Sequence, residues 1–188
     1  LTTPMLEFNF TPFPNLETQR LRLRRLQIKD VDETLALRSN PEIMKYIPRP
    51  LITTKEEALK FIETMDTNIN SNSLINWGIT TKEEDRLIGM IGYYRMKPEN
   101  YRAEVGYLLS AEFQGKGIIT ESLAKVIQFG FEEMGLHSIE AVIDPDNFAS
   151  EKVLLKTNFI KEGHFKEHQF FDGKFFDSVF YSLLKKNF

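Results

Sequence analysis

Residues 20–26 alternate apolar with polar, Leu21 and Leu23 lying between Arg20, Arg22 and Arg24, the two-residue period of a strand with one buried face. Asp30 with Glu33 three residues later signals a helix start, and Asn40-Pro41 signals its stop. Thr53 with Glu56 repeats the start signal, and Ala58, Phe61, Ile62, Met65 and Ile69 then fall at helical spacing, which predicts a second helix to Asn70. Between the two helices, 42–52 contains Pro48 and Pro50 and reads as a loop too constrained for a helix, placed to wall a substrate site. Ile75, Trp77 and Ile79 alternate again, Glu83-Glu84-Asp85 turns the chain, and 87–94 is apolar enough for a buried strand, so this stretch predicts a hairpin.

A strand over 104–110 follows, then Gln114-Gly115-Lys116-Gly117-Ile118-Ile119, then a helix with Ile119, Leu123, Val126, Ile127, Phe131 and Met134 on one stripe and Gly135 as its stop. Residues 138–143 make another strand. Asp144-Pro145-Asp146-Asn147 opens a helix that carries Val153 and Leu154 and ends at Asn158, a residue that tolerates the left-handed conformation. Segments 159–171 and 174–184 flank Asp172-Gly173, a strong hairpin signal. The order β-α-α-β-β-β-α-β-α-β-β predicts one α/β domain with a mixed sheet over 16–188. Residues 1–15 carry too much proline for regular structure and read as an N-terminal extension; the chain opens on Leu1 with its first methionine at Met5, which suggests a natural start elsewhere.

At 188 residues, 41% apolar and 27% charged, the chain has the composition of an ordinary soluble domain with a real core. No apolar run reaches the roughly 18 residues of a membrane span and no leader pattern is present, so the expected location is the cytoplasm. The absence of cysteine excludes disulfides, thiolate metal sites and an acyl-cysteine intermediate. A net charge of −3 supplies no general basic field, so nucleic-acid binding is not expected. Arg20, Arg22, Arg24 and Arg25 read as the solvated face of their strand, with contact to an acidic substrate as the alternative. His164 and His168 share a strand face but have no further clustered ligands, so no metal is expected; His168 has an alternative place in the acceptor pocket. The phenylalanines from Phe165 to Phe180 are expected to pack the last hairpin on the core or on a second copy in a homodimer, a few of them forming an apolar mouth.

The glycine-rich turn between strand and helix leaves backbone N–H groups at the positive end of the helix, a cradle for a phosphate or pyrophosphate. The Gly-Lys-Ser/Thr of a nucleotide-hydrolase loop is missing, as is a Gly-x-Gly-x-x-Gly followed by an acidic residue. Gln-x-x-Gly at the exit of 104–110 and Asn147-Phe148-Ala149-Ser150 further on, in this order of elements, resemble the GNAT superfamily of acyl-CoA-dependent N-acyltransferases. Gly89-Met90-Ile91-Gly92, Glu104-Val105-Gly106-Tyr107 and Gln114 to Glu121 resemble its RimJ/RimL branch, which acetylates ribosomal-protein N-termini; the Asp172-Gly173 hairpin with Asp177 and Tyr181 suits it too.

That resemblance implies acetyl-CoA as donor, no metal, and direct attack by an acceptor amine in a ternary complex. It places the pyrophosphate on Gln114, Gly115, Lys116, Gly117, Ile118, Ile119 and Thr120, and the pantetheine against the backbone of Tyr107, Leu108 and Leu109, with Asn147 on its other side. An N–H near Leu109 would face the oxyanion. It makes Glu104 the candidate base, an ion pair with Arg95 or Arg102 being its plain alternative role. Ser150 is the candidate proton donor, because Leu154 stands where many GNAT enzymes carry a tyrosine acid; a first-turn serine can also simply cap its helix. Asn147 likewise can cap. Ile119 and Asn158 stand where the family prefers small residues. The acceptor is a protein N-terminal α-amino group or, alternatively, a small amine such as a polyamine, amino acid or aminoglycoside. A catalytically silent acyl-CoA-binding module is a third reading.

Overall fold

A computed structural model describes residues 4–188, and the opening at Leu1 lies outside them. The elements are β1 (Leu16–Glu17), β2 (Leu21–Arg24), α1 (Val31–Ser39), α2 (Pro41–Met44), α3 (Lys55–Asn70), β3 (Ile75–Thr81), β4 (Leu87–Lys97), β5 (Arg102–Leu109), α4 (Ile118–Glu132), β6 (Ser138–Ile143), α5 (Phe148–Lys156), β7 (Ile160–Phe171) and β8 (Lys174–Leu184). They form one sheet in the order β1-β2-β3-β4-β5-β6-β8-β7, antiparallel throughout except where β5 meets β6. The predicted mixed α/β architecture is the one observed.

Helices cover both faces of the central strands. One apolar cluster joins Leu123, Val126, Ile127 and Phe131 of α4 to Trp77, Ile91 and Tyr93 of the sheet. A second joins Leu37, Met44 and Ile62 of α1 to α3 to Leu87, Met90 and Leu108 on the opposite face. Strands buried on both faces lose the apolar/polar alternation, which is why 87–94 reads as a continuous apolar run. Residues 4–15 contain no regular element, yet Phe10 is buried in the first cluster and Trp77 Nε1 donates to the Pro14 carbonyl at 2.7 Å.

Three expectations need correction. Thr54, not Thr53, caps α3: its hydroxyl accepts from Glu57 N at 3.2 Å, and the Glu57 carboxylate accepts from the amides of Thr53 and Thr54 at 2.6 and 3.3 Å, which fixes the start one residue later. The 42–52 loop begins inside a helical turn, α2, because Asn40 Oδ1 accepts from Glu42 N and Ile43 N while Pro41 fits a first helical position. Arg24 is not solvated. It is buried and donates through two nitrogens to Asp30 at 2.8 Å each and through Nε to Asp85 at 2.5 Å, acids brought over it by the turn before α1 and the turn between β3 and β4. Of the two places expected for the hairpin phenylalanines, the core is not that of Phe165, Phe170 and Phe175, each more than half exposed on the β7–β8 hairpin.

Candidate active site

In β4, Arg95 and Met96 lie between the pairs Tyr94↔Glu104 and Lys97↔Arg102, so two residues oppose Ala103 alone. Arg95 adopts φ 43°, the left-handed conformation that such a bulge imposes. The bulge sharpens the local twist, and pairing between β5 and β6 stops at once: only Arg102↔Ser138, Ala103↔Ile139 and Glu104↔Glu140 are matched. Beyond Glu104, β5 stays paired to β4 as far as Leu109 while β6 stays paired to β8 as far as Ile143. The sheet is split there, and the backbone of Tyr107, Leu108 and Leu109 has no strand partner on the β6 side.

The split runs toward the glycine turn. Gly115 and Gly117 adopt φ of 73° and 75°, and a Cβ on Gly115 would meet no heavy atom within 4 Å, so this side of the turn is open. Gln114 Nε2 donates to the Leu109 carbonyl at 3.2 Å and fastens the turn to the strand end. Among the described residues, no backbone or side-chain acceptor takes the amides of 115–120; the first α4 amide that is satisfied is that of Glu121, on the Gly117 carbonyl at 3.0 Å. Lys116 reaches over the Phe113 ring, and Arg20 Nη1 donates to the Lys116 carbonyl at 3.0 Å. Arg20 in turn is held by Glu121 at 2.7 Å. Six adjacent donors at the N-terminus of a 15-residue helix fit a pyrophosphate, and the side chains of Ile118 and Ile119 do not obstruct them because both pack toward the core.

Where the strands part, a cavity of about 330 Å³ is lined by Glu104, Tyr107, Leu108, Val142, Asn147 and Ser150 on the sheet and α5 side, with the α1–α3 side closing the other end. The Glu104 carboxylate is only 17% exposed and accepts from Arg95 Nη1 at 2.7 and 2.9 Å. Burial lifts its pKa above the ordinary carboxylate range, Arg95 opposing the rise and Glu140 adding to it. Of its two plain partners, Arg95 is therefore the one it uses; Arg102 goes to Ser138 and Glu140.

Asn147 does cap α5, its Oδ1 accepting from Ser150 N at 3.2 Å, and it faces the cavity as well. Ser150 lines the cavity one turn on. Leu154 is fully buried in the core, so no α5 side chain other than Asn147 and Ser150 reaches the cavity. One feature escaped the sequence. The Tyr107 hydroxyl is buried beside Ser150 without a complete hydrogen bond, and burial pushes its pKa up to about 12, the nearby Ser150 hydroxyl only partly opposing the rise.

A family model described as an acetyltransferase (GNAT) domain matches residues 20–160. The chain belongs to the GNAT acetyltransferase family. It is similar to the uncharacterized N-acetyltransferase YoaA of Bacillus subtilis, 37% identical over 151 residues, 80% of this chain and 85% of the relative. The ribosomal-protein-serine acetyltransferase of Escherichia coli is 38% identical over 81 residues, 43% of this chain and 45% of its own. A solved RimL, a ribosomal L7/L12 alpha-N-protein acetyltransferase in complex with coenzyme A, superposes with a TM-score of 0.81 at 22% identity, covering 91% of this chain and 97% of that one. This chain is thus an N-acetyltransferase.

Of the remaining candidates of the acetyltransferase, none lines this cavity itself. His164 pairs with Asp177 at 2.7 Å and His168 with the Ser178 hydroxyl at 3.2 Å, because an irregularity between Phe165 and Gln169 turns them to different partners. His168 also lines an adjoining opening with Arg49, Arg95, Glu104 and Gln169. Asn158 adopts φ 66°, and Phe159 N donates to the Leu154 carbonyl at 3.0 Å, closing α5 without the glycine the family prefers.

Proposed function

We propose that this enzyme transfers the acetyl group of acetyl-CoA to a protein N-terminal α-amino group by direct attack. The observation that carries the reading is the split between β5 and β6, which joins six unpartnered amides at one end to a half-buried carboxylate at the other. The pyrophosphate sits on the amides of Gly115 to Thr120, with Gln114 holding the turn and Lys116 at its rim. The pantetheine lies along the unpaired backbone of Tyr107, Leu108 and Leu109, and Asn147, whose cap uses only its oxygen, donates from the facing helix.

The amine nitrogen forms a bond to the thioester carbonyl carbon, and its proton passes to Glu104, directly or through a water. An α-amino group titrates near 8 against about 10.4 for lysine, so a carboxylate made more basic by burial is base enough. A main-chain N–H near Leu109 faces the oxyanion. The tetrahedral intermediate collapses by breaking the carbon–sulfur bond, and Ser150, backed by the Tyr107 hydroxyl beside it, passes a proton to the departing thiolate and regains one from solvent, to which Glu104 releases the proton taken from the amine.

The likeness to a ribosomal-protein-serine acetyltransferase supports a protein acceptor. The cavity wall argues against a polyamine: its charged residues are Arg38, Arg49, Arg95 and Glu104, a positive balance that repels a polycation. Thioester consumption with acetyl-CoA tests the reading on a panel of short peptides with free N-termini, the same peptides blocked at the α-amine, and polyamines. Turnover of free peptides alone is expected. Turnover of polyamines with none on any peptide would overturn it.

A further inference from the structure

The arginines on the cavity wall are not equivalent. Arg95 is occupied by Glu104. Arg38 and Arg49 have no carboxylate partner among the described residues, although both line the same cavity. Arg38 lies over the Phe61 ring, 4.3 Å from its centroid, with its Nε buried and without any acceptor. Arg49 is exposed and donates only to the carbonyl of its neighbour Pro48. Burial lowers the Arg38 pKa, Tyr94 opposes the fall and the Arg49 charge adds to it, so the two cations sense one another. Every other buried or half-buried guanidinium nearby has found an acid: Arg24 has Asp30 and Arg25 has Asp66. A half-buried charge with its Nε unpartnered, beside a like charge at a substrate cavity, points to a counter-ion that arrives with the ligand.

We propose that the acceptor carries an anionic group close to its reactive amine, a carboxylate or a phosphate, which seats between Arg38 and Arg49 while the amine faces Glu104. This rests on the acetyltransferase reading of the cavity and narrows its substrate class. Guanidinium groups accept carboxylates and phosphates in paired, planar contacts, and Arg49 also lines the adjoining opening that contains His168 and Gln169, so the anion is met on the way in. In a protein N-terminus the group is the side chain of an acidic residue at position one or two; a free acidic amino acid offers the same chemistry.

The test is acetyl transfer from acetyl-CoA to matched peptides that differ only by Asp against Asn, Glu against Gln, or Lys, at the first two positions, with free aspartate and glutamate as a separate arm. Acidic peptides are expected to show kcat/KM about ten- to a hundredfold above their amide partners, the range of a charge-assisted hydrogen bond. Arg49→Glu, at an exposed position that the fold tolerates, is expected to abolish that preference and favour the lysine peptides. Arg38→Gln is expected to raise KM for acidic acceptors more than it lowers kcat. Equal turnover of acidic and neutral peptides, or an unchanged ratio in Arg49→Glu, overturns the anion subsite and leaves N-terminal acetylation standing. Turnover of free acidic amino acids with none on peptides upholds the subsite and removes the peptide reading.

Discussion

Glu104→Gln removes the candidate base while keeping the size and shape of the side chain. A positioned general base contributes about 10²- to 10⁴-fold, so kcat/KM is expected to fall by that factor. The loss is not one of folding: Arg95, the abandoned partner, is half exposed and can turn to water, so stability is expected to change by no more than ~1 kcal/mol. The pH profile gives the sharper reading. A base works ionised, and burial raises the Glu104 pKa, so wild-type kcat/KM should climb through a limb lying above the ordinary carboxylate range, separate from the acceptor amine's own limb near 8. Arg95 holds that pKa down. Arg95→Met must therefore shift the limb to higher pH, and Glu104→Gln must erase it. Stopped-time thioester consumption across the pH range, with denaturant unfolding of each variant, measures all three. Wild-type kcat in Glu104→Gln, or a limb unmoved in Arg95→Met, would refute the assignment of the base.

Tyr107→Phe deletes a buried hydroxyl that has no complete hydrogen bond, so it should stabilise the fold by about 1 kcal/mol, a rise in Tm of roughly 2–4 °C, while lowering kcat and leaving the KM for acetyl-CoA unchanged. Differential scanning calorimetry and steady-state kinetics read the two effects separately. Asp30→Ala removes the two-point partner of Arg24, whose side chain is 7% exposed and keeps Asp85 on its Nε, and should cost about 1.5–3 kcal/mol in urea unfolding. Gly117→Ala forces a side chain to φ 75° at a strain of about 1–2 kcal/mol, and distortion of the turn should raise the KM for acetyl-CoA with little change in kcat at saturation.

Helices with one apolar stripe were legible: the stripe of α4 and that of α3 pack as their spacing predicts, because burial on a single face leaves a 3.6-residue signature. The cap of α5 and its left-handed stop at Asn158 were legible as well, since both are local chemistry. Arg24 was not. Its position alternates with Leu21 and Leu23 as a solvent-facing residue should, and only Asp30 and Asp85, carried over it by two turns distant in sequence from each other, bury it. The family resemblance implied a bulge beside a splayed strand, but its position at Arg95 and Met96 left no mark in the sequence, because a bulge is a mismatch of register between two strands and neither strand alone carries it. Yet that bulge ends the β5–β6 pairing. It also decides between the two plain partners of Glu104, aiming Arg95 at the carboxylate. The approach of Tyr107 to Ser150 is of the same kind, joining a strand to a helix that pack together only in the fold.

Titration calorimetry of the protein with coenzyme A tests the central claim most directly, since it asks whether the free amides of 115–120 and the split beside them hold the cosubstrate. Saturable one-to-one heat with a Kd of about 1–100 μM is predicted, within the usual range for enzyme substrates, and weakened by Gly117→Ala. No heat at coenzyme A concentrations of about 1 mM, or undiminished binding in Gly117→Ala, would contradict it.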